Sequence, residues 1–352
     1  MTVPTTDSAM YQAMHRQPSE LARLLDEGWL AAEEAARRLD VARRIFVVGI
    51  GTSYHAALVG GWLLRAAGSD ARAVSSLDFG VYPESFAVSR DDAVVVMAHS
   101  GVKTYSSLAL RRAAEVGATR ISVGSLTAEH DGSQQVLRTV EREKSAAFTA
   151  SHLAAMTVLA QISTSLGEAR GWAATKPFRA ALEALPEQVR GALAREKEVR
   201  AIAEQVANRR IYALGGGPSE ASAIEAVIKV REAAQGWIDG LAIEQFLHGP
   251  LIAVNAGDAA VVVHVDGAVS HRTQEIGRVL DAVGARVWVI GKRIDTLETF
   301  ELPATPELIS PLLTVVPVQM LAYHMAVVRG INPDVFRRDD PTYAAALGTL
   351  KL

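Results

Sequence analysis

Cysteine is absent from all 352 residues. That removes disulfides, thiolate metal sites and a cysteine nucleophile together, and it fits a reducing compartment. Charge of one sign is also scarce. The formal net charge is -3, which offers no basic field for nucleic acid and no polybasic patch for a membrane. An unbroken apolar run is missing too. The longest greasy stretch, PLLTVVPVQMLAYHMAVV (311–328), holds two prolines, a glutamine and a histidine and reads as a buried helix rather than a membrane span. The amino-terminal stretch has no basic head followed by an apolar core, so no signal peptide is expected. No cluster of His, Asp and Glu has metal-ligand spacing, so neither a metal nor another cofactor is expected. Apolar residues make up 49% and charged residues 21%. This is the composition of a globular chain, expected to be soluble and cytoplasmic and long enough for two domains.

What is present is a repeat. RRIFVVGIGTS begins at Arg43 and RRIYALGGGPS at Arg209, an offset of 166. DDAVVVMAHSG (91–101) and GDAAVVVHVDG (257–267) share that offset, and GATRISVGS from Gly117 and GARVWVIGK from Gly284 lie 167 apart. Three segments recurring in order at one spacing imply two copies of one domain. In each copy, short β-branched runs alternate with helix-length amphipathic segments. In the first copy these are IFVVGI, a helix from Tyr54, AVVVMA, a helix from about Tyr105, and RISVGS. Such alternation predicts a doubly wound parallel sheet covered on both faces. The expected fold is α/β, with two tandem flavodoxin-like domains from an internal duplication. The expected boundaries are a helical arm at 1–40, a first domain at 41–167, a helical linker at 168–205, a second domain at 206–331 and an irregular tail at 332–352.

The turn after IFVVGI lacks the third glycine of a dinucleotide fingerprint, and no acidic residue ends a second strand where a ribose would need one. It also lacks the Gly-Lys-Ser/Thr of a phosphate-binding P-loop. What remains is Gly51, Thr52 and Ser53 at a helix amino terminus, where hydroxyls, free backbone N–H groups and the helix dipole can hold a compact dianion, or simply cap the helix. The second strand ends in a similar turn, His99-Ser100-Gly101-Val102-Lys103-Thr104. Ligands of open α/β sheets bind at such strand ends, so the two turns can converge on one phosphate. In the second copy Ser53 becomes Ser219, but Ser100 becomes Asp266, an acid that repels phosphate.

Gly-Thr-Ser at 51–53 and Ser-Gly-x-x-Thr at 100–104 resemble the sugar isomerase (SIS) domain. The doubled arrangement is similar to the isomerase half of the glucosamine-6-phosphate synthase family. The resemblance runs from Tyr11, where YQAMHRQPSEL looks like that half's lead-in helix, to about Pro333. It departs in the second turn, where the family has Ser-x-Ser-Gly-Glu-Thr. Here Ala98 replaces the first serine, and Lys103 takes the threonine's place with Thr104 one residue later. The resemblance implies a phosphate held by Ser53, Ser100 and the turn amides, with charge added by Lys103. His99 either touches the sugar or caps the strand.

In the second copy, Lys229 and Glu232 lie three apart in EASAIEAVIKVREAAQGW, and His248 follows in EQFLHGPL. On composition alone the first two read as a solvent-exposed ion pair and the histidine as a loop residue. The family, however, carries its isomerisation on Lys-x-x-Glu and His-Gly-Pro. By resemblance, Glu232 shuttles the acidic proton beside the sugar carbonyl from a partly dry pocket that raises its pKa. His248 opens the ring from across a homodimer interface, and Lys229 orients sugar hydroxyls. The chain shows no glutaminase cysteine, and Lys351 is out of place for the family's tail lysine. The expected substrate is an amino- or keto-hexose 6-phosphate, and the expected enzyme is a deaminase or isomerase. A dehydratase, a fructosamine-phosphate deglycase and a non-catalytic sugar-phosphate sensor are the alternatives. His152, His264 and His324 read as core or interface histidines. Glu143, Lys144 and Ser145 fall near a sugar-contacting loop of the family.

Overall fold

Six apolar, β-branched runs become the inner strands of two five-stranded parallel sheets. The computed structural model describes residues 7–349. The first sheet contains β1 (Ile45–Gly49), β2 (Ala71–Ser75), β3 (Ala93–Met97), β4 (Thr119–Gly124) and β5 (Gln135–Arg138) in the order β2-β1-β3-β4-β5. The second contains β6 (Ile211–Gly215), β7 (Ile238–Ala242), β8 (Ala259–His264), β9 (Arg286–Gly291) and β10 (Glu298–Glu301) in the order β10-β9-β8-β6-β7. Counted within its own sheet, each runs 2-1-3-4-5. Every residue of β1, β3, β6 and β8 is buried, because helices cover both faces of a parallel sheet. In register, Ile45 lies opposite Ala71 and Ala93, and Ile211 opposite Ile238 and Ala259.

The chain divides into two compact units. One comprises Gln17–Glu143 and Ala150–Pro186; the other comprises residues 7–16, Lys144–Thr149 and residues 187–349. The first core packs Phe46, Val48, Val94, Val96 and Leu110 together, and the second Tyr212, Leu214, Val262, Val289 and Ile276. The division falls inside the first helix, Ala9–Glu27, which Trp29–Asp40 follows. Thr175–Ala194 and Glu196–Val206 are helical across most of 168–205.

Each sheet is tied at its amino-terminal edge by the same clamp. Arg44 donates to both carboxylate oxygens of Asp92, at 3.0 and 2.7 Å, and to the Ala87 carbonyl. The Ser89 amide donates to Asp92 at 2.8 Å. At an offset of 166 residues, Arg210 donates to Asp258 and to the Ala253 carbonyl, and the Asn255 amide donates to Asp258. Burial alone would raise the Asp92 carboxyl, but the hydrogen bonds from Arg44 and Ser89 hold it down at about 2.

Helix Ser310–Arg329 is long and apolar enough to cross a membrane by length and composition. It is nonetheless buried within the protein from Ser310 to Ala326. Two expectations need correcting. Strand β1 ends at Gly49, and its helix starts at Thr52 rather than Tyr54, because Gly51 at φ 59° turns the chain at once. The tail is not irregular throughout. Asp340 accepts hydrogen bonds from the Thr342 and Tyr343 amides and caps a helix at Pro341–Leu347. Lys351 lies outside the described residues.

Candidate active site

In a 2-1-3-4-5 sheet the connections diverge between the first and third strands, and the crevice at their carboxyl ends is where ligands bind. In the first unit that crevice lies between β1 and β3, which are hydrogen-bonded neighbours. The 50–53 turn follows one and the 98–103 turn the other, so both sequence-predicted turns fall at the switch point.

Gly51 caps helix Thr52–Ala66, and its φ of 59° admits no side chain comfortably. The first-turn amides are less free than the sequence analysis expects. Those of Ser53, Tyr54 and His55 already donate to the Ile50 and Gly51 carbonyls at 2.8–3.2 Å. In the second turn Gly101 donates to Ala98, Val102 to the Glu129 carbonyl and Lys103 to Ser106 Oγ. With those amides committed, the groups left to face an anion in the two turns are the hydroxyls of Thr52, Ser53, Ser100 and Thr104 and the positive ends of the two helices. Lys103 and Thr104 are exposed at the start of helix Thr104–Glu115.

Behind the second turn lie two histidines. His99 is held below its ordinary value by burial, against the pull of Glu143. His130, which the sequence analysis overlooked, is 7% exposed. Burial, Arg138 and His99 together push it down to about 4. Neither of its ring nitrogens has a hydrogen-bond partner. Nothing in the sequence around His130 distinguished it from a loop residue. Glu143 is buried and accepts from the Ser151 amide at 2.8 Å. Of the core histidines, His264 is satisfied by the Lys292 carbonyl and Ser270, and His324 lies 3.0 Å from Glu196.

The second unit holds the acid–base candidates. Helix Glu220–Lys229 ends in a π-helical turn, Val230–Ala234, closed by Gln235 in the left-handed region at φ 51°. Such widened turns accumulate at functional sites. Lys229 Nζ donates to Glu232 Oε2 at 2.5 Å and lies 3.7 Å from Glu225 Oε1. The Lys229 and Glu225 side chains are 1% and 0% exposed, whereas Glu232 is 29% exposed. The reading of an exposed ion pair is therefore wrong: this is a buried cation between two carboxylates, one of which reaches the surface. The sequence reading missed Glu225, although its i,i+4 spacing to Lys229 was the available signal.

His248 lies on another element. It follows the short helix Ile243–Leu247, is 80% exposed and lies 3.6 Å from Glu244. The hydrogen bond from Arg272 holds Glu244 below the usual carboxylate range.

Residues 38–165 match the family model for the SIS domain. Over 337 residues the chain is 26% identical to the glutamine–fructose-6-phosphate aminotransferase (isomerizing) of Thermococcus kodakarensis, covering 92% of this chain and 56% of that protein. The chain spans about half the length of the curated relatives it matches. Its fold is similar to the C-terminal domain of glucosamine-fructose-6-phosphate aminotransferase from Francisella tularensis, with a TM-score of 0.84 at 19% identity over 93% of this chain and 98% of that one. It is also similar to a glucosamine-6-phosphate deaminase from Thermotoga maritima, with a TM-score of 0.73 at 19% identity over 93% and 97%. Residues 38–165 thus resemble an SIS domain, the α/β fold is similar to those of solved phosphosugar isomerases, and the sequence is similar to about half of the aminotransferases' length.

Proposed function

We propose that the protein is an enzyme that opens a hexose 6-phosphate and moves the proton at carbon 2. The preferred substrate is glucosamine-6-phosphate, and the reaction is deamination coupled to isomerisation. The single observation that carries this reading is the buried Lys229 paired with the half-exposed Glu232. A buried ion pair is costly and weak as a source of stability, which favours a chemical role for it.

In the open-chain aldehyde, the C2–H lies beside a carbonyl and is acidic. Glu232 removes that proton, leaving an enol with the amine on carbon 2. Returning the proton to carbon 1 gives the 2-imine, which water hydrolyses to fructose-6-phosphate and ammonia. Lys229 orients Glu232 and the sugar hydroxyls. His248 moves the proton between ring oxygen and anomeric hydroxyl during opening, and its exposure fits a side chain offered to the site of a second copy. Ser53, Ser100, Thr52 and Thr104 hold the phosphate in the first unit's crevice. The shared 2-1-3-4-5 order and the clamps repeated at one offset support an internal duplication of a single domain.

The test incubates the protein with glucosamine-6-phosphate and assays ammonia and fructose-6-phosphate together. Equimolar release, lost in Glu232→Gln, supports the deaminase. An aldose–ketose exchange or a dehydrated product without ammonia would replace that reaction with another outcome of the same enol.

A further inference from the structure

The second unit has a switch-point crevice of its own, between β6 and β8. Its first turn is a 3-10 turn, Gly217–Ser219, but it keeps two features of the first unit. Gly217 has φ 56° where Gly51 has 59°, and helix Ser270–Ala282 begins 166 residues after Thr104. The Ser219 hydroxyl in its first turn is 1% exposed and has no hydrogen-bond partner. A cavity of about 330 Å³ lies in the same unit, among Asp266, Lys292, Thr305, Ser310 and Thr314. Turn and helix remain, but the electrostatics have changed.

Three groups near this crevice that would attract an anion already face a carboxylate of the chain itself. The Ala268 amide, just ahead of the helix, donates to Glu307 Oε2 at 3.2 Å. Lys292 donates to Asp266 at 2.5 Å, and Arg293 donates to Glu301. The Glu307 carboxyl lies against both turns. A Cβ at Gly267 would stand 2.1 Å from its Cδ, and one at Gly217 would stand 3.9 Å from its Oε1. A carboxylate held by an amide at a helix amino terminus occupies the position, and supplies the charge, of a bound phosphate oxygen.

We propose that Glu307 is an internal anion that fills the second crevice and, with Asp266, excludes phosphorylated ligands from it. The chain therefore offers one phosphosugar site rather than two. This deepens the proposed function and rests on reading the first crevice as the phosphate site.

The test is equilibrium dialysis of inorganic phosphate against wild type, Ser100→Ala, Glu307→Gln and the double variant Asp266→Ser/Glu307→Gln, with folding checked by circular dichroism. Wild type binds one equivalent, and Ser100→Ala weakens it about tenfold. The double variant binds a second equivalent within about tenfold of the wild-type affinity, and the second equivalent persists when Ser100→Ala is added. A folded double variant that binds no more phosphate than wild type overturns the proposal. If the double variant does not fold, the isosteric Glu307→Gln is judged by the same stoichiometry. If wild type binds none, the reading of the first crevice fails alone, and the double variant must still gain one equivalent for Glu307 to be the plug.

Discussion

Lys229 shares one positive charge between two carboxylates, 2.5 Å from Glu232 and 3.7 Å from Glu225. Removing the cation by Lys229→Met leaves the fully buried Glu225 without its ammonium, at an expected cost of about 3–5 kcal/mol. The midpoint of urea unfolding reports that loss. Glu232→Gln keeps the side chain's shape at a partly exposed position. It is expected to leave the unfolding midpoint near wild type while lowering turnover by about a hundredfold or more, the usual contribution of a general base. A Glu232→Gln variant that turns over as wild type does would remove Glu232 from the chemistry. At this scale the sequence showed the pair but not its burial. A Lys-x-x-Glu on an amphipathic helix has the same pattern whether it faces water or the core, and only tertiary packing decides.

The elements that matter most are turns at strand ends and the clamps at the opposite edges. On the proposed function, Ser53→Ala and Ser100→Ala each remove one hydroxyl that holds the phosphate. Each is expected to raise KM about tenfold, the equivalent of about 1.4 kcal/mol, with a smaller change in kcat. Equal KM values in wild type and variants would move the phosphate elsewhere. The Asp92 carboxyl has a folded value of about 2, below its ordinary one. Its contribution to stability is therefore full at neutral pH and disappears as pH falls from about 4 to about 2. Asp92→Asn is expected to lower stability at pH 7 by about 2 kcal/mol and to flatten the acid limb of the stability curve, as followed by urea unfolding at several pH values. The hydroxyl-bearing turns were legible because glycine and serine mark strand-to-helix junctions. That their amides are already committed was not legible, since it depends on the tightness of the first helical turn. The π-turn that carries Glu232 has no compositional signature at all.

For the molecule as a whole, the repeat was the strongest signal in the sequence. Strands β1, β3, β4, β6, β8 and β9 are buried on both faces and read as apolar runs. The edge strands β2, β5, β7 and β10 are short and partly exposed, and their polar residues hid them. The Arg44–Asp92 and Arg210–Asp258 clamps were visible only as recurring letters until their geometry joined them. Ile252 at 94% exposed and Trp237 at 64% exposed accompany His248 in the second unit. A homodimer is expected, so sedimentation should report twice the 37.6 kDa chain mass, and Ile252→Asp should shift the population towards monomer. A wild-type monomer at micromolar concentration would leave His248 with no second site to serve.

The central claim, that Glu232 moves the proton at carbon 2, is tested most directly by following glucosamine-6-phosphate by proton and carbon NMR in heavy water with the protein present. The account predicts loss of the carbon-2 proton signal, through deuterium exchange or product formation, in the wild type and its absence in Glu232→Gln. A sugar that binds but keeps its carbon-2 proton, or an equally fast exchange in Glu232→Gln, would contradict it.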